Sequence, residues 1–130
     1  MYCLDTNIFV AILRGEGELL QRVQYLFNAG TKFYISSISL CELYRGAYGH
    51  AKAKEKVTQL NHLLSYFKIL DIDILACHHY GQIFNFLRKS GKTVSQFDLL
   101  IAVSVKANDL ILVTRDKKDF ENMGIRIEMW

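Results

Sequence analysis

The sequence predicts an α/β domain: a three-layer α/β/α sandwich around a mainly parallel central sheet. Two observations predict it. Short apolar runs, too brief for helices, alternate with longer segments of helical periodicity, the pattern of strands joined by helical crossovers. Leu110-Ile111-Leu112-Val113-Thr114 is a near-continuous apolar run of the kind that a parallel sheet buries on both faces. The chain has 130 residues and no repeat, low-complexity run or linker, so residues 1–130 are expected to form one domain. That length suffices to bury roughly two-thirds of the unfolded surface without metal or disulfide staples.

The elements follow in order. Met1 to Leu4 reads as a buried strand that stops at an acid, Asp5, followed by the small polar residues Thr6 and Asn7. A short helix over Ile8 to Leu13 follows, and Leu19, Leu20, Val23, Leu26 and Phe27 keep helical spacing until Ala29-Gly30 stops them. Lys32 to Ser36 reads as a second strand. The next helix, capped by Ser37 or Ser39, carries Ile38, Leu40, Cys41, Leu43, Tyr44 and Ala47 on its apolar face and Glu42 as its only acid. Ala51 to Phe67 is an amphipathic scaffold helix with Lys52, Lys54 and Lys56 solvated. Lys68 to Ile72 is a third strand, and Asp73 caps a helix that runs to Gly91. The helix from Gln96 is apolar nearly all round, hence buried, with Asp98 in its first turn. The strand beginning at Leu110 ends at Arg115-Asp116, and Gly124 to Trp130 alternates as an edge strand does. Proline is absent, so the glycines at 15, 17, 30, 46, 49 and 91 are read as helix C-terminal punctuation.

Composition excludes several classes. The 51% hydrophobic and 22% charged residues are globular and slightly apolar, which leaves apolar surface for a partner. Cys3, Cys41 and Cys77 are odd in number and lack metal or CxxC spacing; they are read as core residues of a reducing compartment, not a disulfide framework or zinc site. No leader-like segment precedes Asp5 and no apolar run is long enough for a bilayer, so a soluble, cytoplasmic protein without membrane contact is expected. A net charge of +3 permits a polyanionic partner without demonstrating one.

Topology then gathers the acids. Asp5 and Asp116 both follow strands, so in a parallel sheet they share the C-terminal rim, where ligands bind in open α/β folds. The helix carrying Asp98 must end at the opposite rim, where Leu110 begins its strand, so its start faces the same gap. The helix carrying Glu42 also leaves from this rim. Carboxylates held about 4 Å apart repel by roughly 4 kcal/mol per pair at an effective dielectric near 20. A divalent cation relieves that repulsion, and a set of carboxylates without His or Cys selects a hard ion, Mg²⁺ or Mn²⁺. Such ions align phosphodiesters and activate water, so metal-dependent phosphodiester hydrolysis is the inferred reaction. Arg45, Arg115, Lys117 and Lys118 flank the acids and are candidates for holding flanking phosphates.

At Leu4-Asp5-Thr6-Asn7, at Cys41-Glu42-Leu43 with Gly46, at Phe97-Asp98-Leu99-Leu100-Ile101-Ala102, and at Val113-Thr114-Arg115-Asp116 with Asp119-Phe120, the chain resembles PIN-domain ribonucleases, specifically VapC-type toxins. The resemblance spans almost the whole chain and rests on the order and spacing of the motifs together. It implies a Mg²⁺- or Mn²⁺-dependent endoribonuclease acting on structured RNA. Such a protein is often a homodimer, joins higher toxin–antitoxin assemblies, and is neutralised by a small cognate antitoxin whose C-terminal segment lies in the cleft. Asp5, Glu42 and Asp98 fall on the family's most dependable acids, Asp116 on a fourth that varies, and Thr6, Asn7 and Thr114 on supporting polar positions. Lys92-Thr93-Val94-Ser95-Gln96 departs from the glycine- and asparagine-rich loop of many relatives, which bears on rim shape and RNA choice.

Structural alternatives stand beside these roles. Asp5 also suits a helix cap, Ser95-x-x-Asp98 resembles a capping box, and Glu42 can pair with Arg45 three positions on. Asp119 reads as a turn or supporting residue, and His50, His62, His78 and His79 as solvated or satisfied histidines. Asn7 stands where a haloacid-dehalogenase-like phosphatase would need a second acid, and G-x-G-x-x-G is absent. The remaining rival is a non-catalytic RNA-binding or scaffold protein on the same fold.

Overall fold

The computed structural model describes residues 1–130. Twelve elements follow one another: β1 (Tyr2–Leu4), α1 (Thr6–Leu13), α2 (Gly17–Asn28), β2 (Phe33–Ser36), α3 (Ser37–Tyr48), α4 (Ala53–Leu64), β3 (Lys68–Leu70), α5 (Ile74–Lys89), α6 (Gln96–Ala107), β4 (Ile111–Val113), α7 (Lys117–Phe120) and β5 (Arg126–Glu128). The five strands form one sheet in the order β3-β2-β1-β4-β5, and every pairing is parallel. The expected α/β architecture is therefore present. β1 sits at the centre, with Cys3 opposite Tyr34 on one side and Leu112 on the other.

Period-two alternation divides the core between the sheet's faces. Cys3 and Leu112 pack with α5 and α6 through Ala76, Ile83, Leu87, Leu99, Ala102 and Val103. Their strand neighbours Leu4 and Val113, with Phe33, pack against Ile8, Ile12 and Leu19 of α1 and α2. Phe9, Ile35, Leu43 and Leu60 join α1, α3 and α4 over the same second face. α6 is the most deeply buried helix: Leu99 and residues 101–105 are nearly inaccessible, as its all-round apolar sequence requires. No helix is long and apolar enough to cross a membrane.

Several expectations are corrected. The cap of α3 is Ser36, whose Oγ accepts the Ile38 N–H at 3.1 Å; a residue can close a strand and cap the next helix at once, which displaces Ser37 and Ser39 from that role. Gly46 lies inside α3 and Gly17 opens α2, so neither ends a helix. Gly30 and Gly91 do follow helices and adopt left-handed φ of 89° and 71°. Cys41 and Cys77 are exposed and only Cys3 is buried, because an apolar stretch does not say which of its positions faces inward. The turn of α7 has no counterpart in the sequence reading, since four residues are too few for periodicity to register.

Candidate active site

The strand ends and helix starts of one rim enclose an open pocket of about 450 Å³ lined by Asp5, Glu42, Asp98, Asp116, Asp119 and Glu16, with Thr6 and Asn7 in its wall. All four acids singled out from sequence line it. Asp5 is the innermost, 7% exposed at the end of β1. Its two oxygens are separately committed: Oδ1 accepts the Thr6 N–H at 2.8 Å, and Oδ2 accepts the Thr114 hydroxyl at 2.8 Å. Cap and site acid are thus one residue, since the same carboxylate begins α1 and faces the pocket.

Thr114 lies beneath the pocket, fully buried, and serves two acids. Its Oγ1 donates to Asp5 and accepts the Asp116 N–H at 3.0 Å. Asn7 completes the brace by donating from Nδ2 to Asp116 Oδ2 at 2.8 Å. The supporting positions thus hold the first and fourth acids in fixed relation. Replacing Thr114 by valine removes the hydroxyl from both, and a destabilisation of roughly 1–3 kcal/mol is expected. The denaturant midpoint measures it, and Thr114→Ser is expected to restore most of the loss.

The pocket holds more negative charge than it neutralises. Burial pushes the Asp5 carboxyl up, an effect that the Thr114 and Thr6 hydrogen bonds oppose and that Asp116 and Asp119 reinforce. Glu42 is raised by burial and by Asp5, with Arg45 opposing. Asp98 is pushed up to about 6, first by burial and then by Asp119, Asp5, Glu42 and Asp116. Asp5 thus acts on both Glu42 and Asp98, and Glu42 acts on Asp98 in turn. No three of these side chains stand close enough to chelate one ion between them as they are, so the site is an open acidic basin and not a closed cage. Two buried oxygens in its wall, Thr6 Oγ1 and Asn7 Oδ1, have no hydrogen-bond partner.

The flanking cations separate into three groups. Arg115 faces the pocket, but Glu16 grips both of its terminal nitrogens and its Nε donates to the Trp130 carbonyl at 3.2 Å, so much of its charge is committed. Arg45 lines an adjoining pocket. Lys117 and Lys118 are exposed on α7 and do not line the basin. Sequence reasoning missed Glu16, Arg14 and the full weight of Asp119. Asp119 is returned to the basin by the turn of α7, in which its N–H bonds the Asp116 carbonyl at 3.0 Å; the repeated acid three positions after Asp116 was the signal.

Comparison with known proteins agrees with this geometry. Residues 2–125 match the PIN domain family. The chain is 33% identical over 130 residues to the tRNA(fMet)-specific endonuclease VapC of Shigella flexneri, covering 99% of this chain and 97% of the relative. It is 34% identical over 131 residues to ribonuclease VapC2 of Haemophilus influenzae, with the same coverage. Among solved structures, the DNA-bound VapBC of Salmonella typhimurium superposes with a TM-score of 0.88 at 33% identity, over 99% of this chain and 97% of the other. VapBC2 of Rickettsia felis, bound to a DNA fragment from its promoter, superposes with a TM-score of 0.88 at 28% identity, over 99% and 98%. With the family matched over nearly its whole length and the acids gathered on one rim, the chain belongs to the PIN domain family and, within it, to the VapC-type toxins.

Proposed function

We propose that the acidic basin is the centre of a Mg²⁺- or Mn²⁺-dependent endoribonuclease that hydrolyses RNA phosphodiester bonds. The observation that carries the reading is the convergence of Asp5, Glu42 and Asp98 from three separate elements on one pocket, where Asp5 raises both Glu42 and Asp98 and is itself raised by burial, Asp116 and Asp119. Perturbed carboxylates converging in a cleft mark functional sites. The donor set fits a hard ion: every group is a carboxylate, hydroxyl or amide oxygen. Mg²⁺ keeps several waters and needs only one or two carboxylates beside substrate phosphate, so an open basin suits it.

Asp5, Glu42, Asp98 and Asp116 are the carboxylates that would hold the ion, one or two of them directly and the others through its waters, and the unpartnered Thr6 and Asn7 oxygens offer further polar contacts. Bound there, the ion supplies positive charge against the carboxylate repulsion and acidifies water for attack on phosphorus. The chain's own residues supply orientation. Thr6 N–H and Thr114 Oγ1 fix both oxygens of Asp5, and Asn7 Nδ2 turns Asp116 toward the same space. Arg115, gripped by Glu16, borders the basin as a fixed positive edge against which a phosphate can rest. Lys117 and Lys118 are proposed to meet phosphates outside the basin.

The partners proposed are structured RNA and a small antitoxin seated in the cleft, within a homodimer that joins larger toxin–antitoxin assemblies. The Shigella relative's designation as a tRNA(fMet)-specific endonuclease supports the first, and the VapBC complexes of Salmonella and Rickettsia support the second. Exposed Ile69, Ile74 and Leu75 offer apolar surface for a second copy. Incubation with labelled RNA and DNA in Mg²⁺ or Mn²⁺, beside chelated samples, tests the activity. Cleavage of RNA alone, silenced by chelation, is expected; RNA bound but uncut under every condition would favour a non-catalytic binding protein.

A further inference from the structure

A second pocket of about 340 Å³ opens between α1, α3 and α4, and shares Thr6, Val10, Arg14 and Glu42 with the acidic basin. The two therefore form one continuous depression. Their charges are opposite. The basin gathers six carboxylates, whereas the second pocket is lined by Arg14, Arg45, Lys56 and His50, with Glu42 at the shared wall as its only acid.

The cations are uncommitted. The ion pairs of the molecule are Arg22–Glu128, Arg115–Glu16 and Arg126–Asp109, and none involves Arg14, Arg45 or Lys56. A surface arginine beside the densest carboxylate cluster of the chain would ordinarily be drawn into a pair; three unpaired cations along one trough are free to meet an external anion. His50 is prepared in the same sense. Its Nδ1 accepts the Lys52 N–H at 3.0 Å, which places the proton of the neutral ring on Nε2 and leaves that nitrogen a donor.

We propose that Arg14, Arg45, His50 and Lys56 form a phosphate-binding trough that carries the RNA backbone next to the scissile bond. The identity of the polyanion rests on the ribonuclease reading above. The trough gives the strand a direction: phosphates lie over α3 and α4, and the strand enters the acidic basin past Arg14 and Glu42, where the trough's charge changes sign. A backbone held by this electrostatic contact is positioned without its sequence being read, and sequence choice falls to other parts of the rim.

Binding of a fluorescent RNA oligonucleotide, followed by anisotropy in chelator so that no strand is cut, tests the trough separately from catalysis. Arg45→Gln with Lys56→Gln is compared with Lys68→Gln plus Lys89→Gln, which removes the same charge from exposed positions outside both pockets. The first pair is expected to weaken binding roughly tenfold and to lower the slope of log affinity against log salt by about 1.4, as two lost single-strand contacts predict. The second pair is expected to leave both within about twofold. Equal weakening by the two pairs would reduce the effect to net charge and overturn the trough, as would binding unchanged in the first. Weakened binding of poly-L-glutamate with RNA affinity intact would also overturn it and assign the surface to an acidic protein partner. Unaltered circular dichroism checks that the variants fold. Failure of the wild type to cut RNA in metal would count against the ribonuclease reading alone, since the binding comparison is made without cleavage.

Discussion

Asp5→Asn is expected to lower RNA cleavage by roughly 10³-fold or more, the largest effect of any single substitution in the chain. The change keeps the side chain's shape. Asparagine Oδ1 can still accept the Thr6 N–H, and its amide can donate to the Thr114 oxygen, which rotates to accept. What is lost is a negative charge at the deepest point of the basin, where the carboxylate is 7% exposed and its ionisation opposed by burial. The same loss should raise stability in metal-free protein, because the folded state no longer has to bury that charge. Activity and melting temperature are therefore expected to move in opposite directions. Single-turnover cleavage and a thermal melt in chelator measure the two; a variant as active as the wild type would point to a contaminating nuclease and leave the site unsupported.

The second large effect is the exchange of protons for metal. A group whose carboxyl is raised on folding contributes stability below its unfolded value that is lost as pH rises through its folded value. For Asp98 the window runs from 3.8 to about 6, and Asp5 and Glu42 are shifted in the same direction. Metal-free protein should accordingly become less stable as pH climbs from about 4 to about 7. Millimolar Mn²⁺ should reverse this trend, stabilising strongly at pH 7.5 and hardly at pH 4.5, where protons occupy the site. Thermal melts across pH with chelator or Mn²⁺ provide the measurement. Stability rising with pH in chelator would show that the acids are not in the repulsive arrangement described. Cleavage at limiting metal is expected to rise through the same range.

Much of this site was legible because its acids stand at boundaries. Asp5 and Asp116 end apolar runs, Asp73 and Ser95 occupy cap positions that the structure confirms, and Asp98 follows a cap by three residues. Such positions are set by the local chain, and a parallel sheet then fixes the rim on which they lie. What escaped depends on neighbours distant in sequence. Arg115 looks free beside Asp116 until Glu16, 99 residues earlier, takes both of its terminal nitrogens. Cys41 and Cys77 sit among apolar residues but on outer faces, a matter of helix rotation that short windows do not resolve. The bracing by Thr114 links residues 109 positions apart, so the resemblance to relatives suggested a supporting role while only the fold revealed the partners.

The order β3-β2-β1-β4-β5 has a consequence for the cell that makes this protein. The central strand is the first to be synthesised, yet one of its flanks stays bare until residues 111–113 arrive to pair with it. Asp116 and the hydroxyl that orients Asp5 belong to that same late segment. The acidic basin therefore cannot assemble until residues 111–116 have been made and have joined β1, and a chain cut short before them lacks both the fourth acid and the brace of the first.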